Sequence, residues 1–233
     1  MKCIFLDFFG TIVDYVPGGA SGVDRSAALL RTFGGDVSAA EFSAGMNATF
    51  ARFEKRSDQD YSEFSMTEAC RSFLTEVFGR QVSAEQVRRL VTTYLEEWNV
   101  GVRYPAGLAG TIRSLASRYR LAVVTNTHHP SLVPDHLRAM GIADLIDAVV
   151  TSVEVGWRKP HPAIYAEALR RVGADPGEVA FVGDTFEADY LGPRETGMTA
   201  FLIDPAGRHP VSEPHRLRAL ADLEGRLNLL SRS

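Results

Sequence analysis

The sequence predicts an α/β fold: a parallel sheet core with helices on both faces, and a separate all-α bundle inserted near the N-terminus. Three observations carry this. Short apolar runs at residues 2–6, 121–125, 148–151, 179–183 and 199–203 end in polar, acidic or glycine residues, as buried strands do where they open into loops. After Pro105, helical stretches near residues 106–119, 130–140 and 162–172 alternate with these runs, the pattern of crossovers between parallel strands. Between about residues 24 and 98 the apolar spacing is helical throughout.

Taken in chain order, residues 2–6 suit a short buried strand that stops at Asp7, two aromatics and Gly10-Thr11. In the helical block, Phe42, Met46, Phe50 and Phe53 recur at steps of four, four and three. Val87, Leu90, Val91, Tyr94, Leu95 and Trp98 repeat that logic, and Ser83 followed three residues on by Gln86 forms a capping box. These aromatic stripes read as packing. Gly141 and Gly173 stand where C-terminal helix caps belong, and residues 213–230 are expected to form a closing helix, with Pro214 and Gly225 near its ends.

Composition narrows the function. The 233 residues are 45% hydrophobic and 23% charged, enough to bury a core and too apolar for disorder. The formal charge of −4 gives no basic field, so no nucleic acid partner is expected. Cys3 and Cys70 are too few for a disulfide scaffold and too far apart for a metal knuckle, and are expected to be reduced and buried. No run approaches the ~18 apolar residues of a membrane span, and the run before Asp7 is too short for a signal peptide. A cytoplasmic protein without a membrane partner is expected.

Asp7, Thr125 and Gly183-Asp184 all fall at the C-terminal ends of expected strands, where open parallel sheets gather their ligands. Asp7-Phe8-Phe9-Gly10-Thr11, then Thr125-Asn126, then Lys159-Pro160, then Gly183-Asp184 with Asp189, resemble the four ordered motifs of the haloacid dehalogenase (HAD) superfamily of hydrolases. The resemblance covers essentially the whole chain. It implies a Rossmann-like catalytic core of residues 1–15 and 101–233, and an all-α helical cap domain of residues 16–100 that selects the substrate. It also implies a small phosphorylated molecule hydrolysed through an aspartyl-phosphate intermediate.

The residue types suit that chemistry. Asp7, fixed on a strand-end turn, is the expected nucleophile. Asp7, Asp184 and Asp189, with the backbone carbonyl of Phe9, are the expected ligands of Mg²⁺, a hard cation that favours oxygen donors. Three carboxylates against the Lys159 ammonium leave −2, which repels a phosphate dianion until a divalent ion cancels it. Lys159 is expected to keep the nucleophile ionised and to meet charge developing on the phosphoryl oxygens. Thr125 and Asn126 are expected to donate to the same oxygens, with Thr11 and the backbone around Gly10 in a similar orienting part. Phe8 and Phe9 are expected to flank the substrate, with Tyr15 and Trp157 extending an apolar wall. Gly18, Gly19 and Gly22, and Gly101 with Pro105, suit two hinge segments.

One position departs from the family. Its phosphatases usually carry a second Asp two residues after the nucleophile as general acid, and here that residue is Phe9. Phenylalanine moves no protons, so a step typically worth about 10²- to 10⁴-fold must be supplied elsewhere or be unnecessary. Three readings follow. A phosphatase would act on a good leaving group, or borrow an acid from the cap, His128 or His129. A metal-independent 2-haloacid dehalogenase would carry an aromatic here and need a cap arginine, for which Arg25 and Arg31 are present. A binding module would keep the phosphate site and lose turnover. The retained Gly183-Asp184 and Asp189 place phosphate chemistry first.

Overall fold

A computed structural model describes residues 1–16 and 23–230. The chain divides into two compact units, residues 1–14 with 104–233 and residues 15–103. Strand β1 (Cys3–Leu6) opens the first unit and is buried along its whole length, as a central strand covered on both faces must be. Strand β2 (Asp14–Tyr15) leads into the second unit, which holds α1 (Asp24–Thr32), α2 (Ala39–Asp60), α3 (Met66–Phe78) and α4 (Ala84–Asn99). Strand β3 (Val102–Arg103) pairs with β2 on the return.

The helical unit forms as its spacing predicts. Phe42, Met46, Leu90 and Val91 are buried, while Phe50, Tyr94 and Leu95 pack against that core from its edge. The Ser83–Gln86 capping box is present, and two more start α2 at Ser38–Glu41 and α3 at Ser65–Glu68. Helix α1 has no side-chain cap of its own. Glu97 of α4 serves instead, accepting the backbone N–H of Arg25 at 2.6 Å and of Ser26 at 3.1 Å, and the Ser26 hydroxyl. The Tyr15 ring stacks on Trp98 with centroids 4.4 Å apart. Gly101 is a packing glycine: an added Cβ would meet the Tyr15 ring and the Val16 carbonyl. Gly18, Gly19 and Gly22 lie outside the described residues.

The first unit continues with α5 (Leu108–Ala116), β4 (Arg120–Thr125), α6 (Leu132–Ala139), β5 (Ala148–Thr151), α7 (Ser152–Val155), α8 (Pro162–Val172), β6 (Val179–Gly183), α9 (Gly192–Glu195), β7 (Thr199–Ile203), β8 (Arg216–Leu217) and α10 (Leu223–Leu230). The six strands lie in the order β5-β4-β1-β6-β7-β8, every neighbouring pair parallel. Cys3 and Phe5 face one side with Val124, Phe181 and the Ile164, Tyr165, Ala168 and Val172 side of α8. Ile4 and Leu6, alternate along the strand, point to the other face and are equally buried. Both cysteines are buried free thiols, and burial pushes the Cys70 thiol up to about 12.

The expected closing helix over residues 213–230 does not form as one element. Its first half is a short turn at Glu213–His215 followed by β8, which pairs Arg216 with Leu202 and Leu217 with Ile203. Pro214 withholds an N–H, and burying Leu217 at the sheet edge draws the segment into extended backbone. Only α10 remains helical after a turn at Leu220–Asp222. Helices α5 and α6 are also shorter at both ends than the stretches expected from spacing. Among the described residues no helix is long and apolar enough to cross a membrane.

Replacing Glu97 with Ala leaves the Ser26 donors buried without an acceptor and is expected to cost about 2 kcal/mol. Urea denaturation followed by circular dichroism measures it, and Glu97→Gln, which keeps one acceptor oxygen, should cost less.

Candidate active site

The site is built where β1, β4 and β6 end side by side. Asp7 follows β1 and is tied to the next strand by its N–H, which donates to the Val182 carbonyl at 2.9 Å. The chain then turns back sharply: the Phe8 carbonyl accepts from Ile12 at 2.8 Å and Val13 at 3.0 Å, and Gly10 donates to Val13 at 2.7 Å. Gly10 holds a positive φ of 81°, which glycine tolerates without strain. A Cβ there would also collide with the Asp184 carboxylate, and a Cβ on Gly183 would collide with that of Asp189. These two glycines make the room in which the acids converge.

One ligand oxygen from each of Asp7, Asp184 and Asp189 lies within 4.8 Å of the others. Lys159 stands among them, its ammonium donating to Asp7 Oδ1 at 2.8 Å and Asp189 Oδ1 at 2.6 Å, and lying 5.2 Å from the Phe181 ring centroid. All three partners of this ion-paired triad are buried, whereas Asp184 sits on the exposed side. Burial works against the Lys159 ammonium, but Asp189 and Asp7 outweigh it and hold its pKa above the ordinary lysine value. Burial pushes the Asp189 carboxyl up despite the pull of Lys159, with Asp7 adding to the rise. Desolvation and the Asp7 carboxylate likewise raise Asp184.

That pattern tests whether the residues fit a cation. Three carboxylates share one ammonium, and the two acids beside Asp7 are held above their ordinary values by missing solvation and like charge. A divalent ion relieves both, and an all-oxygen donor set suits a hard one. Thr11 adds a buried hydroxyl that has no hydrogen-bond partner among the described residues. The residues present fit Mg²⁺.

The structure assigns some expected residues to other tasks. Thr125 ends β4 and is buried at the site. Asn126 is occupied with Lys159: its Oδ1 accepts the Lys159 N–H at 2.7 Å and its Nδ2 donates to the Lys159 carbonyl at 3.1 Å. Asn126 therefore clamps the lysine peptide, ahead of the cis bond to Pro160, a task its place in the sequence did not show. Phe8 does not flank a substrate. The whole residue is buried, its ring centroid 5.0 Å from that of Phe9 and 5.9 Å from that of His136. Phe9 is half-buried. Trp157 stacks on His161 at 4.2 Å instead of extending a wall, and His129 pairs with Ser131. In the helical unit, the guanidinium of Arg25 is held by Glu96 at 2.5 Å.

Three contributors were not anticipated. Ser152 braces the loop after β4, accepting from the Thr127 N–H at 2.9 Å. The Thr185 N–H donates to Asp189 Oδ2 at 2.9 Å, and Asp189 itself rides on a π-helical turn, Phe186–Leu191. The Tyr165 hydroxyl reaches that turn from α8. The adjacent Gly192-Pro193 pair is the sequence signal for such an interrupted helix.

A haloacid dehalogenase-like hydrolase family model matches residues 1–197, and the chain belongs to that family. It is 38% identical over 134 residues to human haloacid dehalogenase-like hydrolase domain-containing protein 3, an alignment covering 54% of this chain and 53% of that protein. The chain thus spans about half the length of this relative. It is 28% identical over 204 residues to the glyceraldehyde 3-phosphate phosphatase of Methanothermobacter thermautotrophicus, covering 88% and 86%. Among solved structures, a 2-haloacid dehalogenase from Pseudomonas syringae pv. Tomato superposes with a TM-score of 0.71 at 22% identity, over 99% of both chains. A HAD phosphatase from Thermococcus onnurineus gives 0.64 at 24%, over 97% and 98%. At these identities the two structures share the fold.

Lys159→Met leaves Asp7 and Asp189 buried together without their counter-charge, and metal-free protein is expected to lose about 3 kcal/mol of stability. Urea denaturation should show part of that loss recovered by adding Asp7→Asn, which removes one of the stranded charges.

Proposed function

We propose that the protein is a Mg²⁺-dependent phosphatase acting on a small phosphorylated metabolite through an aspartyl-phosphate on Asp7. The observation that carries this is the convergence of Asp184 and Asp189 on Asp7 and Lys159. A halide leaves a carbon centre without needing two further carboxylates, whereas a phosphate dianion needs charge compensation. The relative named as a glyceraldehyde 3-phosphate phosphatase supports the same choice. The Arg25–Glu96 pair weighs against Arg25 as the carboxylate-binding arginine of a dehalogenase.

In this reading Asp7 attacks phosphorus, the bond from phosphorus to the leaving oxygen breaks, and water then cleaves the acyl phosphate to restore Asp7 and release phosphate. Lys159 holds Asp7 by its 2.8 Å hydrogen bond and faces the charge that develops on the phosphoryl oxygens. Asn126 sets the lysine by gripping its peptide, and the Thr125 and Thr11 hydroxyls orient the phosphoryl group. Bound Mg²⁺, held by Asp7, Asp184, Asp189 and the Phe9 carbonyl, supplies the positive charge that lets a dianion enter. Phe9 supplies no proton, so leaving groups that depart as stable anions are favoured. The helical unit of residues 15–103 acts as the cap that selects the substrate. A cytoplasmic setting belongs to the same reading, supported by the two buried thiols.

Phosphate release from a panel of aryl, acyl and alkyl phosphates should require Mg²⁺, vanish with chelator, and fall by about 10³-fold or more in Asp7→Asn. Halide release from 2-haloacids that survives chelation contradicts the proposal. Phe9→Asp should raise alkyl phosphate turnover by about 10²-fold if the missing proton donor limits it.

A further inference from the structure

The π-helical turn that carries Asp189 leaves one backbone acceptor without a partner of its own. Along this turn N–H groups reach back five residues, as the Gly192 N–H does to the Glu187 carbonyl. The next acceptor is the Ala188 carbonyl, and the donor five residues on is Pro193, which has no N–H. The Tyr165 hydroxyl takes that place, donating to the Ala188 carbonyl at 2.5 Å from the buried face of α8. Burial pushes the Tyr165 phenol up, so the hydroxyl stays a donor. Its ring is fixed edge-on against Phe181 with centroids 5.8 Å apart. Gly192 is what lets it approach, because a Cβ at that position would run into the Tyr165 oxygen.

We propose that Tyr165 is a positioning residue for the metal site: its hydroxyl, admitted by Gly192 and made necessary by Pro193, sets the turn so that Asp189 meets Lys159 and Asp7. Helix α8 begins three residues after Lys159, so one rigid element follows the lysine and holds the peptide before Asp189 from its first turn. The hydroxyl touches neither ion nor substrate. Its loss loosens the Asp189 carboxylate and lowers affinity for the cation.

This inference rests on the Mg²⁺-dependent reading, and its test reads binding apart from turnover. Wild type, Tyr165→Phe, Gly192→Ala and the double variant are titrated with MgCl₂, following the rise in melting temperature, with far-UV circular dichroism as a check of fold. Tyr165→Phe keeps the ring and its packing. Its apparent dissociation constant for Mg²⁺ is expected to rise about 10-fold, in the range seen when an outer-shell partner of a metal ligand is lost. Gly192→Ala should weaken Mg²⁺ at least as much, and the double variant should recover part of the way toward Tyr165→Phe, because removing the hydroxyl relieves the tightest contact of the methyl group and leaves those to the ring and to Pro160 at 3.0 Å. The inference is overturned if Tyr165→Phe binds Mg²⁺ within about twofold of wild type, or if the double variant is as weak as the two single effects multiplied. If Tyr165→Phe does not fold, the comparison of Gly192→Ala with the double variant decides. No response to Mg²⁺ in wild type contradicts the metal-dependent reading, and this inference with it.

Discussion

Everything at the rim of the sheet depends on one buried cation, the Lys159 ammonium, bound to Asp7 at 2.8 Å and Asp189 at 2.6 Å. Taking three charged groups out of water is expensive, and mutual attraction offsets that cost only when geometry is good and the remaining hydrogen-bonding capacity is met. The fold meets it from several directions. Asn126 fixes the lysine peptide, the Thr185 N–H takes the second Asp189 oxygen, and the strand register pins Asp7 through Val182. The surplus negative charge that one ammonium cannot cancel is the physical reason this cluster calls for a divalent ion.

Close approach is the second constraint. Carboxylates crowd together only where the facing backbone carries no side chain, and Gly10 and Gly183 supply that at the two contacts that matter. Gly192 does the same for the Tyr165 hydroxyl. The glycines of these segments thus act less as flexible joints than as absences of bulk, each matched to one polar group opposite.

Much of the fold was legible because its boundaries are punctuated. The segments at Ala148–Thr151, Pro162–Val172, Val179–Gly183 and Thr199–Ile203 adopt the expected bounds, each stopped by glycine, proline or a polar residue. Strand β8 was not legible, since two residues are too few to show an alternation and Leu217 fits a helical stripe equally well. At the site, four motifs at strand ends announced which side chains gather, but not how they divide the work. Phe8 and Phe9 looked alike in sequence, yet one is fully buried and the other half-exposed. Asn126 read only as a substrate donor because nothing in one dimension shows that Lys159, thirty-three residues on, uses both ends of its amide. The Tyr165–Ala188 bond was hidden for the same reason: helical spacing marks Tyr165 as core, and only the register of the π-turn shows what its hydroxyl is for.

The central claim is that Asp7, Asp184 and Asp189 hold one cation against a nucleophilic Asp7 oxygen. A crystal structure of the protein soaked with MgCl₂ and beryllium trifluoride tests it most directly. The account predicts a single Mg²⁺ in contact with all three carboxylates and beryllium bonded to an Asp7 oxygen, with Lys159 on its fluorines. An Asp7 without the adduct, or an ion bound away from Asp184 and Asp189, would contradict it.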